Sequence, residues 1–402
     1  MTVRRWWRRL PVLGAWALLG ACSPPPPPPG VEVLSAAVLG GPLPGLDAEE
    51  LARFEAGQAL FGRIFLQEDG LGPVYNESSC GACHFTPVLG GGDGGADEDP
   101  AALRADDGTC DLLDGHSGRD VRTRVTPAAR AAGVAPERAS PGADGRRPFT
   151  AQPLWGRGLV EAVADGTLLA MEDPDDVDGD GISGKVGRDA SGRVARFRRK
   201  ADVARLADMV SGAALAELGL TTPQHPRELV SGVERLPQGA DPVADPEMDQ
   251  AGIDAVADFV RFLAIPARNM PAGDAEQAQV AEGERLFHEV GCAKCHVPTL
   301  PTGPNEVDAL SERVVPLYSD LLLHDLGTVG TTPCSPGASP SEFRTDILLG
   351  VGLRARYMHD GAAATVGDAV ALHGGEGAAT RDAFDALPEA RRRAVVAFVL
   401  SL

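Results

Sequence analysis

The chain of 402 residues is short of basic charge, of long apolar runs and of histidine, and each shortage narrows the reading. With 37 Lys and Arg against 57 Asp and Glu, its formal charge is −20, which makes nucleic acid a poor partner. The apolar run at residues 10–20 is too short to span a bilayer. Arg4, Arg5, Arg8 and Arg9 precede that run, the layout of a secretory signal. There are eight histidines, and before residue 200 only His84 and His116; no methionine follows His84 until Met171. What remains, 43% hydrophobic and 23% charged, is enough for two ordinary globular domains.

The signal ends in Leu19-Gly20-Ala21-Cys22, which looks like a bacterial lipobox. Cleavage would remove residues 1–21 and leave Cys22 as a lipid-bearing N-terminus, since two or more acyl chains anchor stably at about 0.8 kcal/mol per buried methylene. Ser23 lacks the acid that retains lipoproteins in the inner membrane, so the expected site is the periplasmic side of the outer membrane. Four arginines leave with the signal, so the mature charge is −24, suited to a basic redox partner. Residues 22–46 form a linker whose proline run, Pro24 to Pro29, is extended polyproline II, and ordered structure is expected from about Asp47.

The seven cysteines divide into Cys22, two Cys-x-x-Cys-His motifs (Cys80, Cys83, His84 and Cys292, Cys295, His296), and the pair Cys110 and Cys334, bonded or free. Each motif follows a similar segment. Gly57, Leu60 and Phe61 before the first match Gly283, Leu286 and Phe287 before the second, so one supersecondary unit occurs twice. Each copy opens with a helix, the first capped by Asp47 with Leu51, Phe54 and Phe61 inward, the second capped by Asp274 with Val280, Leu286 and Phe287 inward. Each closes with another, carrying Ile253, Val256, Phe259, Val260 and Leu263 in the first copy and Val395, Val396, Phe398 and Val399 in the second. The expected fold is mainly α: cytochrome c-like domains at 47–265 and 266–402, with long irregular loops before residue 199. Val203, Leu206, Met209, Val210 and Leu218 mark one more helix, ending at Gly219.

Cys-x-x-Cys-His is the attachment signature of c-type haem: the thiols reach the two vinyl groups and the histidine is aimed at the iron. Zinc or a thioredoxin-like site is the alternative for a single motif; two in a repeat behind an export signal favour two covalent haems c. His84 and His296 are the proximal ligands. Sixth-ligand candidates in the second domain are His324, His359, His373, Met270 and Met358, while the first domain offers little beyond His116. Separately, Asp176, Asp178 and Asp180, followed by Gly181, have the alternation of a calcium loop, although Gly187 stands where an EF-hand has its bidentate Glu.

From Leu46 to Leu402 the chain resembles the bacterial di-haem oxidoreductases, which include peroxidase-like and thiol-oxidoreductase-like proteins. They are distant relatives of di-haem cytochrome c peroxidase and of the methylamine dehydrogenase maturation enzyme. The resemblance rests on Pro153-Leu154-Trp155-Gly156-Arg157-Gly158-Leu159-Val160-Glu161-Ala162, on the Asp175 to Gly184 loop, on Tyr318 to Gly327 with its Leu323-His324-Asp325-Leu326-Gly327, and on Phe343-Arg344-Thr345 through Met358-His359-Asp360-Gly361 to His373. It implies Glu161 as proton-transfer group, Arg157 as stabiliser of negative charge, a structural Ca2+, and His373 opposite His296, with Met358 the next candidate. Such a His pair would lower that haem's potential.

The expectation is an oxidoreductase in which the C-terminal haem takes electrons from a periplasmic donor. The N-terminal haem then reduces peroxide or a similar small-molecule oxidant. The rival is a non-catalytic electron-transfer protein with both haems six-coordinate.

Overall fold

The computed structural model describes residues 34–92, 101–104, 110–111, 121–139, 145–146, 149–228, 230–231, 233, 235–327, 334–335 and 337–402. The segment expected to be a signal, Cys22, the proline run and His116 lie outside the described residues. The fold is mainly helical. In chain order the helices are α1 (Ala48–Phe61), α2 (Cys80–Cys83), α3 (Pro127–Ala131), α4 (Arg157–Ala162), α5 (Asp165–Met171), α6 (Leu206–Leu218), α7 (Gln250–Phe262), α8 (Asp274–Glu289), α9 (Val366–Ala371), α10 (Ala378–Asp385) and α11 (Glu389–Ser401). Between them, antiparallel ladders of two to four residues staple the loops, such as Val74–Tyr75 on Arg124–Val125 and Leu323–Asp325 on Glu342–Arg344.

The sequence repeat is a structural repeat. Helix α1 packs on α7, and α8 packs on α11 in the same way. Phe61 meets Phe259 at 4.9 Å between ring centroids, tilted, and Phe287 meets Phe398 at 5.3 Å, edge to face, which aromatic pairs favour over a face-to-face sandwich. The glycine shared by both copies sits at each crossing. A Cβ on Gly57 would run into the carbonyl of Ala255, and one on Gly283 into that of Ala394, so the two helices of each pair approach backbone to backbone.

Helix α1 is capped as the sequence suggests, with a reciprocal box between Asp47 and Glu50. Three expectations are corrected. Gly273, not Asp274, is the cap of α8, which places Asp274 in the first turn, where a carboxylate favours the helix dipole. Leu51 is 38% exposed and turned away from the core that buries Phe54 and Phe61. Structure also begins before Asp47: Leu43 is buried, its N–H bonds Phe262 O, and Ser35 and Pro42 bridge to Ile265 and Leu263.

The larger apolar core joins Phe54, Trp155 and Phe259 with Leu310, Val315 and Ile347, so it runs across residue 265. A second core, of Phe287, Tyr318 and Phe398, belongs to the C-terminal part alone. Cys110 and Cys334 form a disulfide across 224 positions, whereas Cys80, Cys83, Cys292 and Cys295 form none. Among the described residues no helix is long and apolar enough to cross a membrane.

Candidate functional site

Two cavities open beside the two motifs. At the first, Ser79 caps the short α2 by accepting from Gly81 N at 3.1 Å, and this turn presents Cys80, Cys83 and His84. His84 Nδ1 donates to Gly91 O at 3.2 Å. At the second, Gly291, with φ 99°, turns the chain into a single 3-10 turn that presents Cys292, Cys295 and His296. His296 Nδ1 donates to Tyr318 O at 2.9 Å. In each case a carbonyl fixes the proton on Nδ1 and leaves the lone pair to Nε2, the arrangement of a metal-binding imidazole. Burial holds His84 below the ordinary histidine range and His296 down to about 4, against the pull of those carbonyls, so both rings are neutral near pH 7. Burial likewise lifts the Cys80 thiol to about 11 and Cys292 to about 12.

The cavity at His296 holds about 220 Å³ and the one at His84 about 180 Å³. His373, Met358, His359 and His324 line the first together with His296. His373 Nδ1 donates to Ala369 O at 2.7 Å, one turn back along α9, so its Nε2 also carries the lone pair. His324 is differently employed: Nε2 meets Asp320 at 2.8 Å and Nδ1 meets Glu376 at 3.1 Å. Burial would lower its pKa, but bonds to Asp320, Cys295 and Glu376 raise it to about 12, so it is a cation with both nitrogens occupied. Met270 is 45% exposed and lines neither cavity.

The His84 cavity is walled by α6, whose Leu206, Met209, Val210, Ala213, Ala214 and Glu217 recur at helical spacing along it. Among its described lining residues His84 is the only histidine, and the sulfur donors besides Cys80 and Cys83 are Met209 and Met248. Both methionines were missed as site residues, although the periodicity that places Met209 on this face is plain in the sequence.

Glu161 and Arg157 line neither cavity. Glu161 Oε2 accepts from Arg261 Nε at 2.8 Å and Oε1 from Leu206 N at 2.8 Å, which makes it an anchor for the start of α6. Arg157 is buried and caps Pro153 O through Nε at 3.2 Å and Nη2 at 3.0 Å. The carboxylates with access to the His84 cavity are Glu77, paired with Arg124, and Glu217, whose Oε2 accepts from Asn76 at 3.1 Å.

In the acidic loop the converging oxygens are those of Asp173, Asp176 and Asp178. Asp180 turns the other way, its carboxylate 3.0 Å from Lys294 Nζ inside the second haem motif. Left-handed turns at Asp176, Gly179 and Gly181 shift the phase of the loop and bring Asp173 into the set.

Each cavity thus offers two thiols, one neutral imidazole and largely apolar walls, which is what a covalently held haem requires. The fold and the two sites define a protein with two centres of this donor set, one beside each Cys-x-x-Cys-His motif. Residues 145–402 match the model of the family described as "Di-haem oxidoreductase, putative peroxidase", and the chain belongs to that family. No curated protein is detectably similar in sequence. Among solved structures, hydrazine synthase from Kuenenia stuttgartiensis under xenon is similar at 13% identity and TM-score 0.40, covering 98% of this chain and 100% of that one. A MauG-like protein associated with microbial copper homeostasis is similar at 15% identity and TM-score 0.39, with coverage of 91% and 93%. A variant of the diheme peroxidase BthA from Burkholderia thailandensis is similar at 16% identity and TM-score 0.40, with coverage of 92% and 91%.

Proposed function

We propose that the chain is an exported, lipid-anchored di-haem c-type oxidoreductase in which electrons enter at the Cys292 cavity and pass to the His84 cavity, where peroxide or a similar oxidant is reduced. The observation that carries this reading is the unequal supply of second ligands: His373 and Met358 share the cavity of His296, while the His84 cavity has no second histidine among its described residues. Bound haem supplies one-electron redox chemistry at each centre and, where the protein gives no strong sixth ligand, a position open to the oxidant.

The chain's own residues do the rest. Cys80 with Cys83 and Cys292 with Cys295 would hold the two groups, His84 and His296 would each supply an imidazole ligand, and His373 would supply a second imidazole at the Cys292 site. Reduction of peroxide to water consumes two electrons and two protons, and Glu217 is the lining carboxylate we assign to proton delivery. Glu161 and Arg157 are positioning residues: Glu161 fixes the start of α6, and Arg157 holds the 153–157 turn. Asp173, Asp176 and Asp178 offer the hard oxygens for Ca2+. The lipid on Cys22 and the proline run would hold this body outside the cytoplasm, near a periplasmic donor.

One observation favours a second reading. Met209 and Met248 line the His84 cavity, and a thioether bound there would make both centres six-coordinate and the protein an electron carrier. Low-temperature electron paramagnetic resonance of the oxidised protein, with and without cyanide, decides between them. The enzyme gives one high-spin signal that cyanide converts; the carrier gives two low-spin signals indifferent to cyanide in both the oxidised and the half-reduced protein.

A further inference from the structure

The wall between the two cavities carries more positive charge than its own carboxylates neutralise. Gln152, Arg199, Arg344, Asp346 and Arg354 line the His296 cavity, while Phe149, Thr150, Ala151 and Leu154, which flank Gln152 in the chain, line the His84 cavity. Asp346 is the hub. Its Oδ2 accepts from Arg354 Nη1 at 2.7 Å, and its Oδ1 from Gln152 at 3.1 Å, Arg344 Nη2 at 3.4 Å and its own neighbour's amide, Ile347 N, at 3.0 Å. Arg199 is fixed to Thr150 and stacks over Phe149, 5.4 Å from the ring centroid. Arg157 stands behind them.

Four guanidiniums therefore share Asp346, which is already saturated; of the other carboxylates near them, Asp360 acts on Arg199, and Asp320, which acts on Arg344, is itself paired with His324. Burial, reinforced by its arginine neighbours, pulls Arg157 down to about 9, and burial pulls Arg199 to about 10 although Asp346 opposes the arginines beside it. Like charges gathered in a buried wall repel one another, so such a cluster calls for further negative charge. Arg354 Nε is moreover buried with no acceptor in the protein. Elsewhere the same cavity is walled by Phe287, Leu348, Val351, Val366 and Val395, so its occupant is apolar with an anionic edge.

We infer that Arg199, Arg344 and Arg354, held by Asp346, form the seat for the propionate carboxylates of the group attached at Cys292 and Cys295. This rests on the reading of the cavities as haem sites. It has two consequences: the propionates would lie at the partition shared with the His84 cavity, and the surplus cations would favour the reduced centre, opposing the lowered potential that His373 would confer.

The test is spectroelectrochemical titration and resonance Raman spectroscopy of the full-length holoprotein, with haem counted per chain. R199Q and R354Q should each shift the ferric to ferrous ratio of the C-terminal centre at least tenfold toward ferric at a fixed potential and move its propionate-bending band. D346N should shift the ratio the other way, a reversal that a general loss of packing would not produce, and R354K should stay near the wild type. Unchanged ratio and band in R199Q and R354Q, with two haems still bound, would overturn the seat. A wild-type chain without haem at Cys292 would overturn the haem reading itself.

Discussion

Ser183 donates its hydroxyl to Glu376 Oε1 at 2.7 Å and its amide to Oε2 at 3.0 Å, closing 193 positions of sequence. Through this contact the acidic loop, part of the first half of the chain, becomes a wall of the cavity that His373 lines. Lys294 grips the same loop from the proximal side, its Nζ 3.0 Å from both the carbonyl and the carboxylate of Asp180.

Glu376 also completes the Asp320–His324–Glu376 array, whose pH dependence can be signed. His324 is raised from 6.5 to about 12, so its contribution is fully present below about pH 6.5, declines as the pH climbs, and is gone above about 12. Glu376 is lowered from 4.5 against its burial by bonds from His324 and Ser183, so its share is present above that value and lost as pH falls. H324Q removes one partner of a buried pair and should cost about 3 kcal/mol at pH near 6, with the gap to wild type narrowing by about pH 10. Urea midpoints at the two pH values check this; a gap that is constant or widens would contradict the array.

The assignment of proton delivery to Glu217 rather than Glu161 separates in kinetics. E217Q should lower kcat/KM for peroxide by roughly 10²–10⁴, the range of a lost acid-base group, with haem spectra unchanged. E161Q should leave turnover within a few-fold but cost about 1–3 kcal/mol of stability, because Arg261 and the Leu206 amide lose an anionic partner. Stopped-flow peroxide turnover beside thermal melts distinguishes the two, and a large kinetic loss in E161Q alone would return the role to that residue.

Helix propensity and packing oppose one another at the repeated glycines. Alanine is favoured over glycine inside a helix by about 1 kcal/mol, yet a Cβ at Gly57 or Gly283 meets a carbonyl of the partner helix. Overpacking against backbone costs typically 1–3 kcal/mol and here cannot be relieved by a side-chain rotation, so packing wins. G57A and G283A should each lower stability by about 1–3 kcal/mol in denaturant titrations. A stabilised variant would mean that the helices part without penalty.

How much of this was legible in the sequence follows from range. Local signals were readable: the haem turns, the Asp47 capping box, the α6 face and the register of Gly57 with Gly283 all lie within a few turns of chain. Relationships that cross the chain were not. The Arg–Asp346 partition draws on residues 152 to 354, and although Arg344 stood in a recognisable motif, nothing local says that Arg199 and Arg354 join it. The Cys110–Cys334 pairing and the diversion of Glu161 to Arg261 are of the same kind, fixed by tertiary packing alone. The acidic loop failed for a different reason, since alternate spacing predicts convergence only if the backbone keeps one phase, and three left-handed residues break it.

That break gives the calcium proposal a sharp form. If the ion sits among Asp173, Asp176 and Asp178, adding Ca2+ to chelator-treated protein at about a hundred times its dissociation constant should stabilise the fold by about 2.7 kcal/mol. D173N and D178N should abolish the gain, because each removes a converging oxygen. D180N should keep it while loosening the Lys294 contact, since Asp180 faces away from the cluster. Because Ser183 and Lys294 tie this loop to both sides of the C-terminal cavity, the same titration followed in the haem absorption band should move only the C-terminal centre. Retention of the gain in D173N together with its loss in D180N would restore the alternate set of Asp176, Asp178 and Asp180.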